Sequence, residues 1–555
     1  MRDFISSHCQ LGEYEAAVRE RLAALDHDAG NVAARLWAQD ASLWSDVRDV
    51  QAKILNRLGW LSSPLTMAAR LSEFGRLDTT NIDDGVLLGM GGSSLAPELF
   101  QRVFGNADGR PRLHVLDNTT PGAVRAVQEA VALDRTLFIV ASKSGTTTET
   151  KSFADYFFEQ TGGAGERFIA ITDPGSVLID WAKQEGATLF LNPQDIGGRY
   201  SALSFFGLVP AALIGVDIAT LLQRAVDAIH AGSAAPTAAH HVAVALGTIM
   251  AELARQGRDK LTLIASPPLA AFGDWAEQLV AESTGKQGHG TLPIVGESVG
   301  RPDVYGADRL FVYLRLAGDA THDGAVDALL AAGQPVVQLD LADKYDLGAQ
   351  FFIWEFATAV AGVVLGINPF DEPNVTESKT NSKKLLAQFE AEGTLPEPEA
   401  VLAQAGVALS GSVTGDSVTT ALAHFVDGVG AGDYLAIMAY LPMTEANERA
   451  LRRLQNAIRD RSHAATTLGF GPRFLHSTGQ YHKGGPAQGH FIQIVAEERG
   501  EPLPIPDQPF DFGTLVAAQA LGDLEALQSR DYPTLRLALS GGDSAALIAE
   551  LAASL

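Results

Sequence analysis

Apolar residues at helical spacing open the chain. Val32, Leu36, Leu43, Val47, Val50 and Ile54 follow one another at three, four or seven positions, which predicts an N-terminal helical segment over residues 1–82. From residue 83 the pattern becomes short apolar runs alternating with amphipathic stretches. Strands are expected at 86–88, 113–116, 137–140, 168–172 and 188–191, and the alternation implies a parallel sheet covered by helices on both faces over residues 83–238. The pattern restarts after a helix at 240–255, with strands at 261–265, 310–316 and 335–339, which predicts a second α/β domain over 239–384. The run from Phe351 to Ile367 has the length of a membrane span, but Glu355 interrupts it and a buried core helix is expected. Glu390, Glu392, Glu397 and Glu399, set among Gly and Pro, predict a linker at 385–404. A third α/β unit is expected over 405–555, with strands at 434–440, 465–468, 489–495 and 534–537. The first two α/β halves suggest an old duplication without a short fixed repeat.

Composition narrows the classes. A chain of 555 residues, 46% hydrophobic and 19% charged, is globular and long enough for more than one core. Its net charge of −25 argues against nucleic acid as a partner and leaves any anionic substrate dependent on a few placed cations and N–H groups. Cys9 is the one cysteine, so no internal disulfide and no cysteine-based zinc site is expected, which fits a reducing, cytoplasmic setting. The first residues show no continuous apolar core, so neither an export sequence nor membrane attachment is expected.

Two turns carry phosphate-type chemistry. An apolar run ending at Ala141 gives way to Ser142-Lys143-Ser144-Gly145-Thr146-Thr147-Thr148-Glu149-Thr150, with a helix predicted to open at Thr146 and Glu149 closing a capping box. Upstream, residues 85–88 lead into Gly89-Met90-Gly91-Gly92-Ser93-Ser94, which matches neither the Walker pattern nor the dinucleotide fingerprint. Two such turns after successive strands predict one small phosphorylated ligand between them; ordinary Ser/Thr helix caps are the other reading. In Asp195-Ile196-Gly197-Gly198-Arg199-Tyr200-Ser201 the glycines free Arg199 to reach a developing oxyanion, unless it pairs with Asp195 instead. Glu282 stands near a helix end, just before Gly285, as either a base or a solvated surface group.

The elements at 89–93, 142–150, 195–201 and 282–286, in this order, resemble the glucose-6-phosphate isomerase family, Gly-Gly-Arg-Tyr-Ser being the most specific of them. The resemblance covers residues 85–384, and the third unit is similar to the isomerase half of bacterial transaldolase–isomerase fusions. It implies two sugar-isomerase (SIS-type) parallel-sheet domains, an N-terminal helical layer and an additional C-terminal α/β unit. It also implies substrate phosphate on Ser93, Ser142, Ser144 and Thr147, with Gly92, Lys143, Gly198 and His476 as further substrate contacts. Glu282 would move a proton between C2 and C1 and Arg199 would steady the cis-enediolate, with neither metal nor redox cofactor. A homodimer and an association with a separate transaldolase are further implications.

The family also uses the lysine of a Phe-Asp-Gln-x-Gly-Val-Glu-x-x-Lys element, which makes Lys379 a further expected catalytic residue; the element reads Phe370-Asp371-Glu372-Pro373-Asn374-Val375-Thr376-Glu377-Ser378-Lys379 here. Lys379 keeps its place, whereas Glu372, Asn374 and Thr376 replace the usual residues. A carboxylate at 372 would either raise the pKa of Glu282 or pair with Lys379. The family's ring-opening histidine motif is missing from its usual interval, and His289 has no matching surroundings. The nearest likeness is His476-Ser477-Thr478-Gly479-Gln480-Tyr481-His482-Lys483-Gly484-Gly485, where His482 is preferred to His476 because it follows Gly479-Gln480. Loop histidines bonded to backbone carbonyls are the plain alternative. The expected activity is reversible isomerisation of glucose 6-phosphate and fructose 6-phosphate; a non-catalytic sugar-phosphate sensor and an enzyme that also accepts mannose 6-phosphate are the alternatives. A sensor has no need of Glu282 as base or of Arg199 as oxyanion partner.

Overall fold

Runs such as Val86-Leu87-Leu88 and Phe138-Ile139-Val140 are apolar at every position, as strands covered on both faces must be, and they are buried throughout. The computed structural model describes residues 3–27, 30–497 and 500–555. After a two-residue strand, β1 (Cys9–Gln10), and the N-terminal helices comes a parallel sheet of β2 (Asp84–Gly89), β3 (Arg112–Leu116), β4 (Thr136–Ala141), β5 (Phe168–Thr172) and β6 (Thr188–Leu191). Its order is β3-β2-β4-β5-β6. The chain leaves β2 for β3 on one side and returns to β4 on the other, so the C-terminal ends of β2 and β4 flank a crevice.

The second sheet holds β7 (Lys260–Ala265), β8 (Leu292–Ile294), β9 (Arg309–Leu316) and β10 (Val336–Leu341), all parallel, in the order β10-β9-β7-β8. β1 adds antiparallel to β10. Neither β1 nor β8 has a sequence signature. One is two residues long, and the other has Pro293 at its centre, tolerated because β8 is an edge strand.

The third unit is a mixed sheet of β11 (Leu402–Gln404), β12 (Val407–Gly411), β13 (Tyr434–Tyr440), β14 (Ala465–Phe470), β15 (Gly489–Ala496) and β16 (Thr534–Leu539), ordered β11-β12-β16-β15-β13-β14. Part of the expected 385–404 linker is regular structure instead. The helix Val375–Glu392 runs into it, held by Leu385 packing in a cluster with Ala518 and Leu521, and residues 402–404 pair with β12 across a tight turn at Ala405 and Gly406, both with φ above zero.

The N-terminal layer shares one core with the first two sheets, where Leu22, Leu36 and Trp60 join Leu87, Phe205, Leu246 and Phe351. Val47, expected on the apolar face, is 59% exposed and caps the helix Arg48–Leu55. The apolar helix Leu347–Leu365 is buried in the same core. The third unit has its own core around Leu409, Ile437 and Leu537 and meets the rest along two seams. Phe512 and Leu515 pack with Phe138 and Phe153, while Tyr481 and Phe491 pack with Ala281, Leu292 and Ile294. Each fully buried phenylalanine contributes roughly 1.5–3 kcal/mol, so these seams fix the third unit against the crevice.

Candidate active site

Where the chain leaves β2 it must turn against another loop. Gly91 takes φ +54°, and a Cβ on Gly92 would lie 2.0 Å from the Gly198 carbonyl oxygen, so only glycine allows this contact. Ser201 Oγ donates to the Gly92 carbonyl at 3.3 Å. After β4, Ser142 Oγ donates to Thr147 Oγ1 at 3.2 Å and accepts from the Gly145 amide at 3.1 Å. Ser144 Oγ accepts from the Thr146 amide at 3.2 Å. Lys143 pairs with Asp173 and donates to the Gln194 carbonyl at 3.0 Å. Ser93, Ser142, Lys143, Ser144 and Thr147, with Gly92 and Gly198, line one cavity of about 670 Å³.

The capping box is not formed. The helix runs Thr148–Gln160, its N-cap Thr147 makes no side-chain cap bond, and Glu149 is buried against His476. In that low-dielectric setting a carboxylate gains more from an imidazole than from one amide.

Arg199 stands on the single turn Gly198–Tyr200 and is 5% exposed. Its Nε donates to Ser283 Oγ at 2.8 Å, and its Nη2 to the carbonyls of Pro369 and Asp371 at 2.8 and 3.0 Å. Its Nη1 donates to Glu372 Oε2 at 3.1 Å and lies 3.5 Å from Glu282 Oε1. The carboxylate partners of Arg199 are thus Glu282 and Glu372 rather than Asp195, and the ion pair of Glu372 is to Arg199 rather than to Lys379. Burial opposes the guanidinium charge, but the two carboxylates outweigh it and hold the pKa above the usual arginine value.

Glu282 is 8% exposed on the last turn of the helix Phe272–Thr284. Gly285 ends that helix by close approach, since a Cβ there would lie 2.5 Å from Tyr481 Cα while its φ of −73° demands no glycine. Glu282 Oε2 accepts from Gln278 Nε2 at 3.2 Å, and the same amide nitrogen donates to the His476 carbonyl at 2.6 Å. Burial raises the pKa of Glu282, the Glu372 charge adds to that rise, and Arg199, Lys286 and His476 offset part of it. Glu372, although exposed at its outer side, moves the other way: partial desolvation pushes it up, but the Arg199 charge and hydrogen bond outweigh that and hold it low. The two carboxylates are thus pushed apart, Glu282 being the more readily protonated of the pair. Lys286, lowered to about 8 by burial, donates to the Asn368 carbonyl at 2.7 Å and to Asp371 Oδ1 at 2.8 Å, so the 368–372 loop is clamped by two cations. Lys379, exposed on the helix Val375–Glu392, reaches both the hydroxyl-lined cavity and a second one lined by Arg199 and Glu282.

The third unit contributes His476 and not His482. His476 lines the cavity of Glu282 and Arg199, and its Nε2 lies 3.0 Å from Glu149 Oε1. Gln519 Nε2 donates to that same carboxylate oxygen at 2.7 Å, and Thr119 Oγ1 donates to Gln519 Oε1 at 2.9 Å. His482 is 3% exposed, with its ring 5.2 Å from that of Phe491, 6.1 Å from Phe474 and 6.2 Å from Tyr434. Burial drives its pKa well below the usual histidine value, and among the described residues neither ring nitrogen has a hydrogen-bond partner. Position after Gly479-Gln480 was a poor guide because those residues turn into the helix Gly479–Gly484, which docks instead of lining the cleft. His289 is exposed outside these cavities.

Residue patterns also missed Gln278, Glu149 as a histidine partner, and Lys286 as a loop clamp. Gln278 stands four residues before Glu282 on one helix face, a spacing that sequence does carry. Glu149 and His476 are 327 residues apart, and no local signal joins them. Among the described residues, no group of three or more His, Cys, Asp or Glu side chains is arranged to hold a metal ion.

A family model described as phosphoglucose isomerase matches residues 29–296. The glucose-6-phosphate isomerase of Thermus thermophilus is 30% identical over 386 residues, covering 60% of this chain and 90% of the relative. That of Rubrobacter xylanophilus is 29% identical over 379 residues, covering 58% and 87%. Among solved structures, a hypothetical protein from Thermus thermophilus aligns with a TM-score of 0.59 and 24% identity over 68% of this chain and all 100% of that one. A glucose-6-phosphate isomerase from Chlamydia trachomatis aligns with a TM-score of 0.51 and 20% identity over 65% and 78%. Both structural similarities concern the fold.

Proposed function

The chain belongs to the glucose-6-phosphate isomerase family, and we propose that it interconverts glucose 6-phosphate and fructose 6-phosphate by one carboxylate moving one proton between C2 and C1. The observation that carries this reading is buried Glu282 set 3.5 Å from buried Arg199, in a cavity that shares Arg57, Gly92, Gly198 and Lys379 with the hydroxyl-lined one. Substrate phosphate rests on Ser93, Ser142, Ser144 and Thr147, which directs the sugar toward Glu282. His476, oriented by Glu149, protonates the ring oxygen as the bond from C1 to that oxygen breaks, and the O1 hydroxyl proton leaves to solvent, so that C1 becomes the carbonyl of the open aldose. Glu282 then takes the C2 proton of the open aldose. The electrons of that C–H bond form a C1–C2 double bond, and the carbonyl oxygen on C1 takes up negative charge as a cis-enediolate. Arg199 steadies that charge without acting as a base. Glu282 returns its proton to C1, the O2 proton passes to O1, and the ketose results. A raised carboxyl pKa suits a group that must both take and return a proton. On this reading His476 is supplied by the chain's own third unit.

The test is a coupled assay of fructose 6-phosphate conversion beside Glu282→Gln. The variant is expected to lose about 10²–10⁴ in kcat while still binding the sugar phosphate. Binding by the parent without turnover would put a sugar-phosphate sensor in place of the isomerase.

A further inference from the structure

In a chain of net charge −25, a sugar phosphate depends on whichever cations in the cleft are not already neutralised. Lys143 is paired with Asp173, Arg199 with Glu282 and Glu372, and Lys286 with Asp371. Like the exposed Lys379, which also lines both cavities, Arg57 differs from all three. It enters from the N-terminal layer and lines both the cavity of Glu282 and the cavity of the hydroxyl turns. Its guanidinium donates to the carbonyl of its neighbour Asn56 at 2.9 Å, and among the described residues it forms no ion pair. Asp173 and Glu372 line the hydroxyl cavity with it, and its charge helps to hold both carboxylates ionised.

Its placement is built into the fold. Leu58 forms an antiparallel bridge with Ile196, and the Gly59 amide donates to the Asp195 carbonyl at 2.9 Å. A Cβ on Gly59 would lie 2.4 Å from Asp195 Cγ, so glycine is needed for this contact. Arg57 Cδ lies 3.6 Å from the point where Gly197 would carry a Cβ. The loop that presents Arg199 to the substrate therefore also holds Arg57 in place, which gives Asp195 and the N-terminal layer a part in the site.

Given the sugar-phosphate reading of the cavity, we propose that Arg57 is a substrate-binding residue that supplies an unneutralised guanidinium to the phosphate dianion and so sets the preference for phosphorylated over unphosphorylated sugars. A guanidinium fork matches two phosphate oxygens, and the serine and threonine hydroxyls supply geometry without charge.

Steady-state kinetics of the full chain with Arg57→Met and Arg57→Lys test the assignment. Arg57→Met is expected to raise the KM for fructose 6-phosphate and the Ki of inorganic phosphate by about ten- to a hundredfold, with kcat held within about threefold. Inhibition by sorbitol, which has no phosphate, stays at the parental level, and Arg57→Lys recovers part of the loss. Arg57→Met with parental KM and phosphate Ki overturns the proposal, as does an equal loss of phosphate and sorbitol affinity, which would mark a general deformation. Should the parent bind phosphate in calorimetry without turning over fructose 6-phosphate, the isomerase reading falls. The role of Arg57 is then decided by phosphate affinity in the same variants, where an unchanged Kd rejects it and a tenfold loss upholds it.

Discussion

The cleft has two unlike walls. The wall from the first two sheets presents polar groups to open space: Ser144 and Thr146 are exposed, and Ser93, Ser142 and Thr147 face the same cavity. The wall from the third unit turns most of its polar groups away from the cleft. Gln480 bonds the Gly285 carbonyl and Asn374 at 2.9 and 2.8 Å, and Lys483 forms a 2.6 Å ion pair with Asp523, both groups fully buried. His476 alone reaches from the 476–485 loop into the cavity of Glu282. Both walls are built from glycine-containing turns rich in polar side chains, yet one is suited to hold a ligand and the other holds a domain in place. What separates them is the neighbour: solvent and a crevice between parallel strands on one side, Tyr434, Phe474 and Phe491 on the other.

The largest effect that could break this division comes from the two histidines. His476→Ala is expected to lower turnover of cyclic substrate by about a hundredfold or more. His482→Phe should leave kcat within about twofold and should not lower Tm, because it removes two buried ring nitrogens that lack partners. A folded His482→Phe protein with lost activity would mean that the third unit's inner face takes part in chemistry after all.

Glu149→Gln probes the seam between the walls and should cost about tenfold in kcat, because a neutral amide keeps a hydrogen bond but loses the charge assistance. It also has a stability signature. Burial pushes the Glu149 carboxyl up, but the His476 charge and hydrogen bond outweigh it and hold the pKa at about 2, against an ordinary 4.5. A depressed carboxyl contributes stability that is present above its unfolded value and lost as pH falls toward the folded one. The parent's Tm should therefore fall between pH 4.5 and pH 2 more steeply than that of Glu149→Gln.

Glu372→Gln gives the smallest expected change and sharpens the first wall. Removing that negative charge lowers the pKa of Glu282, so the acid limb of the kcat/KM profile should move to lower pH while kcat changes by less than about threefold. An unmoved limb would show that the two carboxylates do not compete for Arg199.

Much of the scaffold was legible in residue order because its demands are local. Apolar runs such as Phe138-Ile139-Val140 require a strand buried on both faces, glycine at 91 and 92 requires a turn in close contact, and the 195–201 and 282–286 motifs carry Arg199 and Glu282 wherever they fold. Features without a local demand were not legible. Leu385 made a helix of an expected linker only by packing on Ala518 and Leu521, and β8 became a strand only by pairing with β7. Tertiary structure decided which of two histidines six residues apart meets the cleft, which cation Glu372 pairs with, and that Arg57 belongs to the site. The reason is distance along the chain. Glu149 finds His476 and Gln519 across 327 and 370 residues, and only the packing of three sheets brings such groups into one low-dielectric space where a single hydrogen bond determines what each can do.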